Sequence, residues 1–213
     1  NNGSIHVNGP GILTLSGNNS YAGVTIISNG TLKAGSTTAL SVNSTFSVKA
    51  GGTLDLAGYD NTILNLTADT ATSVITDSSA PGSGGRLTIS TALSAVLAHQ
   101  FTGSLGLQIF GNAGIAHLSN ANSTYSGGTI FGASTVNTRW LGSGTIGTGT
   151  GGNVTNGRFG TGAITIGTAT NHVANFYFAG ATTINNTTIV NTARSTEGAF
   201  RAESAGNVIA GSI

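Results

Sequence analysis

The chain has no cysteine and no methionine, only two prolines, a single tryptophan, and charged residues at just 6% of its 213 positions. Without cysteine there are no disulfides, no thiolate metal site and no cysteine nucleophile. A secreted domain of this size then needs another source of stability, which a continuous β-ladder over a narrow apolar core supplies. No apolar run reaches the roughly 18 residues of a membrane-spanning helix, and no signal peptide is present. A chain that starts at Asn1 and lacks methionine reads as a mature product or a fragment. The scarcity of charge, against about 25% in an ordinary soluble domain, also limits partners. Seven Lys and Arg residues are scattered between Lys33 and Arg201. No basic patch with interleaved aromatics forms, so nucleic acid is not an expected partner. A net charge of +1 gives little colloidal repulsion, which suits a surface-tethered or self-associating protein.

What is present is glycine, at 34 positions, with Thr, Ser and Asn filling most other polar places. Disordered chains combine low hydrophobicity with high net charge; this one is 38% hydrophobic and nearly neutral. Its Val, Ile and Leu recur in short alternating runs. The alternation predicts strands over 12–16, 24–28, 53–56, 86–90, 105–110, 163–166, 175–178, 182–190 and 208–213. Between and within them stand Asn-Gly and Gly-Gly steps at 2–3, 8–9, 29–30, 51–52, 84–85, 127–128, 151–152 and 156–157. Such steps mark tight turns, because Gly and Asn tolerate positive φ. The one helix-like stretch is Thr91 to His99 (TALSAVLAH), a short helix or a loop over one end of the core.

Many short strands with frequent turns fit a sandwich, a barrel or a solenoid. Internal repetition favours the solenoid. Residues 11–32 (GILTLSGNNSYAGVTIISNGTL) and 114–131 (GIAHLSNANSTYSGGTIF) share a Gly-Ile start, Leu-Ser, an Asn-rich step, Tyr, Gly, then Thr and Ile. Weaker echoes are 162–167 and 198–213. Parallel stacking sets like residues over like: Asn and Thr in hydrogen-bonded ladders, Ile, Val and Leu in a dry interior. Equal charges on adjacent rungs would lie only about 4.8 Å apart, a physical reason for their rarity.

The residues Gly11, Leu13, Leu15, Gly17, Asn19, Tyr21, Gly23, Thr25, Gly30 and Leu32 together resemble the passenger-associated repeat of bacterial autotransporters. Gly52, Leu54 and Leu56 resemble the segment that follows it, and Tyr125, Gly127 and Thr129 resemble its second copy. The departures are Val24, where a second Gly is usual, and Asn120, where the first copy has Gly17. The resemblance implies an all-β, right-handed parallel β-helix, secreted or displayed on a bacterial surface, in which the repeats are scaffold. It carries no catalytic residue over, and the family's membrane barrel is absent from these 213 residues.

Polysaccharide-degrading β-helices make an enzyme reading worth testing. Glycoside hydrolysis needs two carboxylates about 5–9.5 Å apart. The acids are Asp55, Asp60, Asp69, Asp77, Glu197 and Glu203, of which Asp55 and Asp60 are the best local pair. A turn role suits Asp60 better. His6, His99, His117 and His172 lack metal-ligand spacing. No G-x-S-x-G elbow occurs. Gly147–Gly152 (GTGTGG) lacks the lysine of a phosphate loop and reads as a turn or strand edge. Residues 82–89 lack the Asp of calcium-binding nonapeptides. Asn-x-Ser/Thr sequons occur at Asn18, Asn29, Asn43, Asn65, Asn122, Asn153, Asn185 and Asn186, most of them what this composition gives by chance. Phe176 and Phe178 share one strand face and read as core. Tyr177, with Arg139 and Trp140, is the candidate platform for a glycan or protein.

The expectation is therefore one β-solenoid segment over residues 1–213, uncapped at both ends and part of a longer array. It is expected to be non-enzymatic, with no cofactor and no membrane insertion of its own, acting as the stiff stalk or fibre of an adhesin-type surface protein. Its partners are copies of itself, end to end or laterally, and a host surface or glycan. The alternatives are a self-assembling filament subunit and a polysaccharide-binding or polysaccharide-degrading β-helix.

Overall fold

The structure is a computed structural model. It describes residues 1–67, 70–90, 95–111, 115–133, 138–150, 153–167, 174–190, 200–202 and 205–213, with backbone alone at 95, 111, 115–117, 133, 138–145, 150, 174–182 and 200–202. Every regular element among them is a strand. The strands stack in parallel as a β-solenoid of about 7 turns.

Three parallel sheets run along the stack. The first joins Ile5–Leu15, Thr25–Ala34, Gly52–Asp55, Val74–Asp77 and Gln100–Gly103, with Thr45–Val48 and Asn65–Leu66 branching from Thr25–Ala34. The second joins Asn61–Ile63, Arg86–Ile89, Gly106–Gly111, Thr129–Ala133, Ile164–Ile166 and Thr188–Val190. The third joins Ala95–Leu97, Ile115–Leu118, Thr138–Ile146, Ala174–Ile184, Phe200–Ala202 and Val208–Ile209.

The period-2 alternation in the sequence becomes rows of side chains. Leu13, Leu32, Leu54, Ile75 and Phe101 lie level on successive coils. So do Ile63, Ile89, Ile109, Phe131 and Ile166. From Leu32 onward these side chains are buried. Burying a Leu, Ile or Phe completely contributes roughly 1.5–3 kcal/mol, so a narrow core repeated on every rung holds the rod without disulfides. Leu13, on the outermost strand, remains 40% exposed because only one neighbouring strand covers it.

In-register partners on adjacent coils are 19 to 26 residues apart, from Ile12–Thr31 to Ile75–Phe101. One coil is longer: Thr129 pairs with Ile164, and Ile146 with Ile184. Most of the excess is an antiparallel hairpin, Thr148–Thr150 with Asn153–Asn156. It is the only antiparallel ladder among the described residues, which separates this architecture from a sandwich.

Three local expectations change. Residues 95–97 are strand, not helix: Val96 is exposed and Leu97 buried, so a period of two prevails there. Residues 91–94 lie outside the described residues. The strand expected over 182–190 is broken, because Asn185 and Asn186 turn the chain between Ala174–Ile184 and Thr188–Val190. Asn29–Gly30 sits within Thr25–Ala34, with Gly30 at φ +78°, and so bends a strand around a corner without reversing it.

Candidate functional site: the repeat turn and the long coil

The two sequence repeats fold into the same turn. The Tyr21 hydroxyl lies 2.7 Å from Thr25 Oγ1, and the Tyr125 hydroxyl 2.5 Å from Thr129 Oγ1. Each threonine starts a strand, and its hydroxyl also meets a neighbouring coil. Thr25 Oγ1 is 2.9 Å from Ser44 Oγ, and Thr129 donates to the Phe159 carbonyl at 3.3 Å. The residue before each threonine accepts from the previous coil: Ile5 N–H donates to Val24 O and Leu107 N–H to Gly128 O, both at 3.0 Å. The glycine between Tyr and Thr is set by close approach. A Cβ at Gly23 would lie 2.4 Å from Gly3 O, and one at Gly127 would lie 2.7 Å from Leu105 O.

Burial raises both phenol pKa values above their usual 10.0, with the threonine bonds partly opposing it, and far more for Tyr125, which is enclosed on all sides. A phenol held neutral this way keeps its hydroxyl hydrogen available for the bond with threonine.

The carboxylates of Asp55, Asp60 and Asp77 are occupied by the backbone. Asp55 Oδ1 accepts from the N–H groups of Ala57 and Ser78 at 3.0 Å, and its Oδ2 from the Ser78 hydroxyl at 2.7 Å. Lys33 Nζ, one coil earlier in the same row, is 3.7 Å from Asp55 Oδ2. Asp77 accepts from Ser79 N–H at 2.8 Å, Gly58 N–H at 2.9 Å, Gly85 N–H at 2.7 Å and the Ser79 hydroxyl. Asp60 accepts from Arg86 N–H at 2.7 Å. These bonds lock turns to one another across coils. Asp55 and Asp60, the pair singled out above, are thus engaged separately. Asp77 is the most heavily bonded acid among the described residues, and no local pattern marked it, because two of its donors, Gly58 and Gly85, lie 19 and 8 residues away. Asp69, Glu197 and Glu203 lie outside the described residues.

His6 Nε2 is 2.8 Å from Ser28 Oγ at the surface. His99 is buried, with Nε2 donating to Thr67 O at 2.9 Å and Nδ1 2.6 Å from Ser73 Oγ. Its ring meets Phe101 edge-on at 6.1 Å, and Phe101 in turn meets Tyr125 at 5.8 Å. His117 has a backbone place level with Val96, and His172 lies outside the described residues. Among the described residues no group of three His, Cys, Asp or Glu could hold a metal ion. Within the GTGTGG stretch, Thr148–Thr150 is the first arm of the hairpin, with Gly147 and Gly149 at positive φ.

The passenger-associated-transport-repeat model matches residues 6–34 and 112–135, the two segments that contain these turns. The chain carries the autotransporter passenger repeat. Among curated proteins, the adhesin BmaC autotransporter of Brucella suis biovar 1 (strain 1330) is 33% identical to it over 146 residues, which is 67% of this chain. The chain spans about 4% of that adhesin's length. No solved structure matches the chain. A passenger segment of this kind belongs to the cell surface or the extracellular space.

The passenger repeat's two departures now have local explanations. At the place of Val24 the second copy has Gly128 at φ +80°, whereas Val24 stays out of the positive-φ region and points to solvent. Asn120, where the first copy has Gly17, turns inward and donates to the carbonyls of Ala98 and Ala71, at 3.0 and 3.3 Å, on two earlier coils. Of the surface trio, Arg139 lies level with Asn175, Trp140 with Phe176 and Leu141 with Tyr177. Trp140 and Tyr177 therefore fall on rows of opposite parity along paired strands, while Arg139 and Tyr177 share parity. Their side chains lie outside the described ones.

Proposed function

We propose that this chain is a non-enzymatic stalk segment of a surface adhesin, one stretch of a longer solenoid that holds binding elements away from the cell. The observation that carries this reading is the set of three parallel sheets, overlapping in sequence, whose strands among the described residues extend from Ile5–Leu15 to Val208–Ile209. Backbone bonds along the axis resist extension and leave little chain for a protease to grip. The engagement of Asp55, Asp60 and Asp77 by turn amides supports the absence of catalysis. The adhesin relative supports surface interactions, for which we propose a host surface or glycan as the partner.

The edge of Ile5–Leu15 supports stacking on a further coil, because it leaves Ile12 68% exposed next to the half-exposed Leu13. That coil belongs to the same polypeptide in the stalk reading and to another copy in a filament. Electron microscopy of the intact surface protein, with and without residues 1–213, tests the proposal. The stalk reading expects a rod shortened by a fixed amount on deletion, with the tip unchanged. An unshortened particle, or polysaccharide cleavage by the purified chain, would sink it.

A further inference from the structure

The outer layers of the stack have matching outlines. Ile5–Leu15 lies on Thr25–Ala34 in two limbs, 5–8 and 12–15, and residues 9–11 turn the corner between them without ladder partners. Far along the stack, Phe200–Ala202 and Val208–Ile209 lie on two limbs of Ala174–Ile184, at 176–178 and 183–184. Among the described residues, each of these layers is paired on one side only. The other side presents backbone N–H and C=O groups that a further parallel strand completes.

Little on the first edge keeps a strand away. Sheets guard their edges with charged side chains or proline. Ile5–Leu15 holds no Lys, Arg, Asp or Glu, and its Pro10 stands at the corner, where no ladder bond is made. A groove along it is lined by His6, Val7, Gly9, Gly11, Ile12 and Leu13. An apolar column also stops at each layer. Leu13 lies level with Leu32 and is half-exposed, and Ile209 lies level with Ile184 and is partly buried.

The glycines tell what kind of neighbour fits. A Cβ on Gly23 would lie 2.4 Å from Gly3 O, one on Gly30 2.0 Å from Gly9 O, and one on Gly52 2.3 Å from Ile27 O. In each case a carbonyl of the preceding coil occupies the place of a side chain. Gly9, Gly11 and Gly17 of the first coil lack that reason. None is at positive φ, and a Cβ on any of them would meet nothing within 4 Å. A coil stacked on Ile5–Leu15 gives them the same reason.

We infer that Ile5–Leu15 is a docking edge for a parallel coil, and that in the 213-residue chain its occupant is the layer Phe200–Ala202 with Val208–Ile209 of a second copy, so that copies join head to tail. A single added strand would cover one limb, whereas this layer has two. The inference stands apart from the stalk reading, which concerns a longer polypeptide, and either can fail without the other.

The test is sedimentation velocity of the chain over a range of concentrations, joined to NMR of mixed copies. The chain is expected to pass from monomer to longer species as concentration rises. Ala205 is exposed at the corner between the two strands of the outer layer. A spin label at Ala205→Cys on one copy should broaden the amides of Ile5–Leu15 in an isotope-labelled second copy. Gly9→Ala combined with Gly11→Ala should leave the unfolding midpoint of the dilute chain unchanged or raised, because alanine fits the open space and narrows the unfolded ensemble. The same pair should weaken association roughly tenfold or more by crowding the joint. Leu13→Lys should weaken it as well, by placing a charge where the coils meet. A chain that stays monomeric throughout, association that survives both variants, broadening centred away from Ile5–Leu15, or a lowered midpoint in the glycine variant would overturn the proposal.

Discussion

Tyr21 and Tyr125 hold equivalent places in the two repeats and make the same bond to a threonine four residues on, yet Tyr21 is 9% exposed and Tyr125 not at all. The difference comes from the coils on either side. Tyr125 lies between Phe101 of the preceding coil and Gly160 of the next, where a Cβ would come within 2.8 Å of its ring. Tyr21 has the next coil on one side, where Ser41 donates to its carbonyl at 2.6 Å. On the other side is the Asn1–Ser4 segment, which forms no strand. The motif sets the turn, and the stack sets how much that turn contributes to stability. That division of labour is expected where each coil touches only its neighbours.

The largest effect should come from removing the ring. Tyr125→Ala is expected to cost about 3–5 kcal/mol, as for other buried aromatics, and Tyr21→Ala clearly less, read from urea unfolding midpoints. Equal losses would mean that the two turns do not differ in support. Next is crowding of the Tyr-to-Thr glycine. Gly127→Ala meets the backbone of Leu105 and Gly106, of which Gly106 is paired with Arg86 and donates to Gly85 O, while Leu105 O accepts from Gly127 N–H itself, and should cost roughly 1–3 kcal/mol. Gly23→Ala meets Asn2 and Gly3, which lie outside any strand and can yield. A smaller shift in thermal midpoint for Gly23→Ala than for Gly127→Ala checks this.

The smallest effect is alkaline. Each buried phenol has its folded-state pKa raised by burial. Its contribution is therefore complete below the unfolded value of 10.0 and is lost as pH rises through 10.0 toward the folded value. Guanidinium midpoints measured on either side of pH 10 should fall less steeply in Tyr125→Phe than in Tyr21→Phe. Each of these variants should also lose about 1 kcal/mol near neutral pH with its hydroxyl bond. Identical slopes would contradict the ordering of burial.

Much of this was visible in the residues themselves. Alternation such as Arg86-Leu87-Thr88-Ile89 identifies a strand with one buried face, and the spacing of Tyr21 and Thr25, repeated at Tyr125 and Thr129, marks one turn used twice. What could not be read was anything whose partner lies a coil away. Asp77 binds Gly58 across the stack, and Asn120 reaches Ala71 and Ala98; a coil of variable length hides such pairs from local inspection. The hairpin was hidden for another reason. Gly147–Gly152 has too little side chain to show a period, and only the 35-residue step from Thr129 to Ile164 reveals the inserted arms. The break at Asn185–Asn186 was missed because the apolar and Thr residues on both sides continue the alternation.

The central claim is that residues far apart in sequence form a single axial column. Thr62, Thr88, Gln108, Ile130, Thr165 and Ile189 are level on successive rungs of the second sheet. Spin labels at Thr62→Cys and Ile189→Cys, read by double electron–electron resonance, measure that column directly. At roughly 4.8 Å per rung, the five steps predict one narrow distance near ~24 Å, broadened only by the labels. A wide distribution, or a single distance far from that value, would contradict the stacked solenoid.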